Sequence, residues 1–153
     1  MLITNMSHFS KIAVKFKDQS CLVEALQRFG FYPQIHDKPV NLYGYRGDKR
    51  EQTAHIVVPR NQISSLSNDL GFFWNGTEYE CLISEYDQGA GLAKACLGLG
   101  RNFLPKLQQE YINLYLPKIA MQMGGEVVGT VTNGSVTTVR VALPTQTIQT
   151  IRR

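Results

Sequence analysis

Cysteine is scarce in this chain: Cys21, Cys81 and Cys96 are the three among 153 residues, and no two are spaced as C-x-x-C. An odd, widely spaced set argues against a disulfide framework or a zinc ribbon and reads as reduced thiols. The opening Met1-Leu2-Ile3-Thr4-Asn5 lacks the basic and long apolar segments of a secretory signal. Long hydrophobic runs are missing too, because the most apolar region, Leu92 to Leu104, is cut by Lys94, Gly98, Gly100 and Arg101. Crossing a bilayer as a helix needs about 20 apolar residues, so no membrane insertion is expected. Charge is modest, with 16 basic against 12 acidic residues and a net +4. That surplus tilts towards a phosphate-bearing or acidic partner without naming one.

Catalytic and cofactor spacings are likewise wanting. Gly89-x-Gly91 fails the dinucleotide fingerprint, since Lys94 stands where the third glycine belongs, and no G-x-x-x-x-G-K-[ST] loop exists. The histidines show neither H-x-x-x-H nor H-E-x-x-H spacing, and no Ser/His/Asp arrangement is apparent. No RNP-like, KH or helix-turn-helix signature appears. No catalytic residue, metal site or cofactor is therefore expected.

What is present is the composition of a globular protein, 43% hydrophobic and 18% charged. A chain of this length buries roughly 68–70% of its unfolded surface, and a single domain over residues 1–153 is the expectation. Lys11–Lys17 alternates strictly, placing Ile12, Val14 and Phe16 on one side of a strand. Asp18 or Ser20 caps a helix over Gln19–Phe29, whose Leu22, Ala25, Leu26 and Phe29 recur at helical spacing, and Gly30 suits the left-handed position beyond its end. Two extended segments follow, the first interrupted by Pro33 and Pro39, the second reading Gln52–Val58, with the charged turn 44–51 between them.

Asn75-Gly76 signals a two-residue hairpin loop. It pairs Trp74 with Thr77 and Phe72 with Tyr79, and it sends Phe72, Trp74, Tyr79, Cys81 and Ile83 to the core face. Gly89–Gly100 reads as a loop or marginal helix. A second helix runs from about Asn102 through a kink at Pro117 to Gly124-Gly125. Asn133-Gly134 closes a final hairpin that pairs Val131 with Val136 and Val128 with Val139. The order lacks the regular alternation of a parallel sheet. The expected fold class is α+β, a mostly antiparallel sheet with two helices packed on one face, and residues 144–153 form a loose tail.

Several stretches resemble one family, the uncharacterised plastid and cyanobacterial proteins of chloroplast hypothetical open reading frame thirty-five. They are Met6–Ile12, Gly44-Tyr45-Arg46-Gly47, Leu70-Gly71-Phe72, Trp74-Asn75-Gly76 and Tyr79-Glu80, with fainter echoes at Gln109–Tyr111 and Gly134-Ser135. The family opening falls at Met6, which makes residues 1–6 an N-terminal extension, and Gly89–Gly100 departs from the family's entry to the second helix. The resemblance implies a cyanobacterial cytoplasm or a plastid stroma and supplies no reaction.

The most suggestive surface is the basic and aromatic cluster Tyr43, Tyr45, Arg46, Lys49 and Arg50. Arginine and lysine hold carboxylates or phosphates, while tyrosine packs at interfaces or stacks on bases. Its plainer reading is a solvated loop with Tyr43 and Tyr45 anchoring the base. Gly44 and Gly47 permit the tight backbone that presents Tyr45 and Arg46 outward. A non-enzymatic interaction or regulatory module with an unknown protein partner, docking through this loop or a sheet edge, is the leading expectation. A nucleic-acid-binding protein is the alternative, and a small metal or thiol enzyme using His8, His55 or Cys96 is the third. His55 reads first as an ordinary histidine satisfied by a backbone carbonyl, and it neighbours His8 only if their strands pair. Cys81 reads as a small buried hydrophobe, and Glu78 and Glu80 as the solvated side of a hairpin rather than a carboxylate pair.

Overall fold

The computed structural model describes residues 7–91, 100–133 and 136–144. Its order is β1 (Ser7–Val14), α1 (Gln19–Arg28), β2 (Gln34–Tyr43), β3 (Lys49–Val58), β4 (Leu70–Trp74), β5 (Tyr79–Leu82), α2 (Phe103–Gln122), β6 (Glu126–Asn133) and β7 (Val136–Pro144). Short helical turns lie at Arg60–Gln62, Asp87–Gly91 and Gly100–Asn102. All the pairings are antiparallel, so the expected α+β class with antiparallel strands holds. The strands divide into two sheets, β1-β7-β6 and β2-β3-β4-β5. The reason is that β1 pairs with the last strand rather than with its neighbours in sequence. The chain forms two compact units, Lys15–Tyr111 and the two ends Met1–Val14 with Ile112–Arg153.

Local chemistry sets both ends of α1 and the C-terminal end of α2. Asp18 caps α1, its Oδ1 accepting the Cys21 N–H at 3.0 Å. At the other end Gly30 adopts φ +90°, with Gly30 N–H donating to Gln27 and Phe31 N–H to Leu26. These are the paired bonds of a Schellman stop, which the sequence marks by its glycine. α2 ends in the same way: Gly124 takes φ +75°, and Gly125 N–H reaches the Ala120 carbonyl at 2.9 Å. The helix continues through Pro117.

In the Lys15–Tyr111 unit, Ile56, Phe72 and Cys81 stand in register across three strands. On that face Phe16 sets its ring edge-on to both Phe72 and Tyr111, at 6.0 and 5.1 Å. The Tyr79 hydroxyl reaches Gln19 of α1 at 3.2 Å. Both helices thus meet one side of the four-stranded sheet, α1 burying Leu22, Ala25 and Leu26 and α2 burying Phe103, Leu107 and Tyr111. Leu22, Leu26, Phe103 and Leu107 each contribute about 1.5–3 kcal/mol by leaving water. The buried Tyr111 hydroxyl also accepts the backbone N–H groups of Lys17 and Asp18, at 2.8 and 2.9 Å, which ties the entry of α1 to α2. A second apolar cluster joins Leu42, Ala54 and Val57. Gly71 makes it possible, because a Cβ there would lie 2.8 Å from that of Ala54 and 2.9 Å from the Leu42 methyls. In the unit built from the chain ends, Ile112, Leu116, Ala120, Val139 and Val141 are buried.

Both hairpins differ from the expected registers. Trp74 pairs with Tyr79 and Phe72 with Cys81, so the first loop holds Asn75–Glu78. The cause is the Asn75 side chain, whose Oδ1 accepts from Thr77 N, Thr77 Oγ1 and Glu78 N at 2.9–3.0 Å and builds an Asx-type turn. The slip is two residues along the partner strand, which preserves the faces. Phe72 and Tyr79 are buried as expected, while Trp74 is half-buried with its ring 4.9 Å from that of Tyr79. In the last hairpin Val131 pairs with Thr138 and Thr130 with Val139, again two residues from expectation. Gly134 and Ser135 lie outside the described residues, as do 1–6, 92–99 with Cys96, and 145–153. Pro144, placed in the loose tail, instead pairs with Ser7.

Candidate interaction site around the Tyr43–Arg50 loop

β2 is an edge strand carrying Pro39 where its register against β3 shifts, a position at which a missing N–H is tolerated. It leads into the turn between Tyr43 and Lys49, which are themselves paired. Gly44 N–H donates to the Asp48 carbonyl at 2.7 Å, and Gly47 N–H to the Gly44 carbonyl at 2.8 Å. Gly47 holds φ +78°, and Gly44 leaves room for the paired Arg50 guanidinium and Asp48 carboxylate, which a Cβ there would push aside.

The turn is held from outside by residues that follow β3. Asp69 is buried, and its carboxylate accepts Tyr43 N–H on one oxygen and Arg60 N–H on the other, both at 2.8 Å. The Asp69 N–H donates back to the Tyr43 carbonyl at 2.9 Å. Asn68 Oδ1 accepts Tyr45 N–H at 2.9 Å. Arg60 donates from Nη2 to the carbonyls of Tyr45 and Ser65, at 2.5 and 2.9 Å, and from Nε to Ser67 at 3.0 Å. Fixed donor geometry suits a guanidinium to this stapling of three segments. Asn68 and Asp69 stand in a polar stretch of the sequence, and Asn and Asp in such stretches signal side chains that bond to backbone. Which amides they bond cannot be seen there, because Asp69 and Tyr43 are 26 residues apart.

The five expected site residues share this turn but are deployed differently. Tyr43 and Tyr45 are 45% and 40% exposed, and Arg46 stacks its guanidinium over the Tyr45 ring at 5.3 Å. Lys49 is exposed, and Arg50 folds back so that Nε donates to Asp48 Oδ2 at 2.7 Å. Asp48 is held below the usual carboxylate range by its own backbone N–H first and, among further causes, by Arg50. Three clefts meet here: Tyr43 and Lys49 line one, Tyr43 and Arg50 a second of 260 Å³, and Tyr45 and Arg50 a third of 390 Å³.

The other candidates are dispersed. β1 and β3 lie in different sheets, so the pairing that would make His8 and His55 neighbours does not form. His55 Nδ1 accepts the Trp74 N–H at 3.0 Å, so its backbone partner is an amide rather than a carbonyl. Burial pushes the Cys81 thiol up to about 12, which keeps it protonated and unreactive near neutrality. Glu78 pairs with Lys15 at 3.4 Å and Glu80 accepts from Asn75, so the two do not act as a carboxylate pair. Among the described residues no group of three or more His, Cys, Asp or Glu side chains is arranged to hold a metal ion, and no helix is long and apolar enough to cross a membrane.

Residues 25–141 match the family described as "Protein of unknown function (DUF1257)". The chain is also similar to the "Uncharacterized protein ycf35" of Guillardia theta, 38% identical over 76 residues that cover 49% of this chain and 52% of that protein. It thus spans about half the length of the curated relative it matches. These matches bear out the resemblance to the uncharacterised plastid and cyanobacterial family. No solved structure matches.

Proposed function

We propose, from the premise that the chain belongs to the family of proteins of unknown function designated DUF1257, that it is a non-enzymatic interaction module docking a protein partner through the Tyr43–Arg50 loop and the β2 edge. Its setting in this reading is a cyanobacterial cytoplasm or a plastid stroma. One observation carries the reading: the loop backbone is pinned by Asp69, Asn68 and Arg60 while Tyr43, Tyr45, Arg46 and Lys49 face solvent. A loop ordered before binding loses little entropy on docking, and tyrosine and arginine are the side chains that dominate interface energetics. The plainer role, tyrosines anchoring the loop, has less support, because both rings are largely outside the core and backbone bonds hold the turn.

Affinity capture from a cyanobacterial lysate tests it. Replacing Arg46, Lys49 and Arg50 together by alanine weakens retention by about 1–3 kcal/mol per directly engaged charge. The melting temperature stays nearly constant, since the ion pair lost, Arg50 to Asp48, is an exposed one. Full retention by the triple variant withdraws the loop as the docking site. Binding to RNA or DNA that falls steeply with salt would favour the nucleic-acid reading instead.

A further inference from the structure

The cleft on the Tyr45 side of the loop has a composition that selects its occupant. Tyr45, Leu66 and Tyr86 form its apolar wall, and Arg50, Asn68 and Ser84 its polar end. Leu66 is 51% exposed, an uncovered aliphatic side chain beside an uncovered tyrosine. At the polar end, the hydrogen-bond acceptors are already committed to the protein. Asn68 Oδ1 takes the Tyr45 N–H, which leaves the amide nitrogen to donate, and Ser84 Oγ takes the Asp87 N–H at 3.1 Å. Arg50 spends Nε on Asp48, and its terminal nitrogens remain to meet an incoming group. Among the residues that line the cleft Arg50 is the charged one, and the oxygens of Asp48 and Asp69 behind it already accept from Arg50 and from backbone amides. The polar end thus presents donors and positive charge, and the wall presents apolar surface.

We infer that this cleft receives the anchor of an acidic peptide segment, a carboxylate-bearing residue next to a large apolar one. The carboxylate meets Arg50 and the Asn68 amide, and the apolar side chain lies between Tyr45, Leu66 and Tyr86. The inference rests on the interaction-module reading and gives its partner a chemistry. Charge complementarity decides for an acidic segment: a neutral apolar segment would leave the donors unpaired, and a basic one would be repelled.

The test is an amide-resolved NMR titration of the full chain with N-acetyl-glutamyl-phenylalaninamide and, separately, its glutaminyl counterpart. The acidic probe should bind about ten-fold more tightly, as a charge-assisted bond would make it, and shift the amides of Tyr45, Asn68 and Tyr86. Arg50→Gln should remove the preference. Leu66→Glu, at an exposed position that leaves folding intact, should weaken both probes and the acidic one more. Equal affinity for the two probes, no binding of either, or shifts confined to another surface overturns the inference. So does a uridine oligonucleotide that shifts these amides when the acidic probe does not, or shifts that follow protein concentration alone, which would mark a second copy of the chain. Partner capture separates the two ideas. Loss in the Arg46, Lys49 and Arg50 variant with full retention in Leu66→Glu sinks the cleft and spares the docking loop, whereas full retention in both sinks both.

Discussion

Neither carboxylate oxygen of Asp87 completes a hydrogen bond, although the residue is fully buried. Burial pushes its pKa up from the ordinary 3.8, and the Ser67 and Ser84 hydroxyls beside it oppose the shift without cancelling it. An acid whose folded pKa is raised holds its proton more tightly in the folded state than in the unfolded one. Its favourable contribution is therefore complete below the unfolded-state value and is lost as pH climbs through the raised folded value. Asp87→Asn removes the titration and offers amide hydrogens to the same two hydroxyls. Melting curves from pH 3 to pH 8 should show the variant gaining on the native chain as pH rises and losing its advantage in acid. Parallel curves across that range would mean that Asp87 does not ionise at a buried position.

At the scale of elements, the loop that presents Tyr45 and Arg46 depends on Arg60, which lies outside it. Arg60→Met keeps the aliphatic stem and deletes the side-chain bonds to the Tyr45, Ser65 and Ser67 carbonyls. The expected cost is about 1–3 kcal/mol, with faster hydrogen exchange at the turn amides of Gly44 and Gly47. Unchanged exchange there would show that the turn holds itself. The same elements explain what was legible in the sequence. Helix ends were, because Asp18, Gly30 and Gly124 act on residues within one turn of themselves. Hairpin register was not, since Asn75-Gly76 fits both a two-residue loop and the observed side-chain turn. The side-chain turn of Asn75 is the one that forms, and beside it the Tyr79 N–H donates to the Phe16 carbonyl at 2.7 Å, a partner far away in sequence. Core faces survived because a two-residue slip leaves alternation intact. The loop residues stand out by composition, whereas Asn68, Asp69 and Arg60, which hold their backbone, are hidden by sequence distance.

For the whole molecule, the pairing of β1 with β7 and the course of α2 decide how stability is shared. The helix supplies Phe103, Leu107 and Tyr111 to the Lys15–Tyr111 unit and Ile112, Leu116 and Ala120 to the unit built from the chain ends. Cut at that boundary, each half of the helix would be shorter than the ~12–15 residues below which an isolated helix is marginal in water. Unfolding either unit would therefore fray the helix on which the other depends. Pairing β1 with β7 also closes a long loop, whose entropic cost is smaller once Lys15–Tyr111 is folded. We propose that the two units melt as one cooperative domain. Scanning calorimetry should give a single transition with an enthalpy of about 100 kcal/mol near 60 °C, the value scaled to a chain of this length. The van't Hoff enthalpy should equal it. Two resolved transitions, or a van't Hoff value near half the calorimetric one, would instead make Lys15–Tyr111 a domain in its own right and confine the Tyr43–Arg50 loop, its Arg60 staple and the Tyr45 cleft to it.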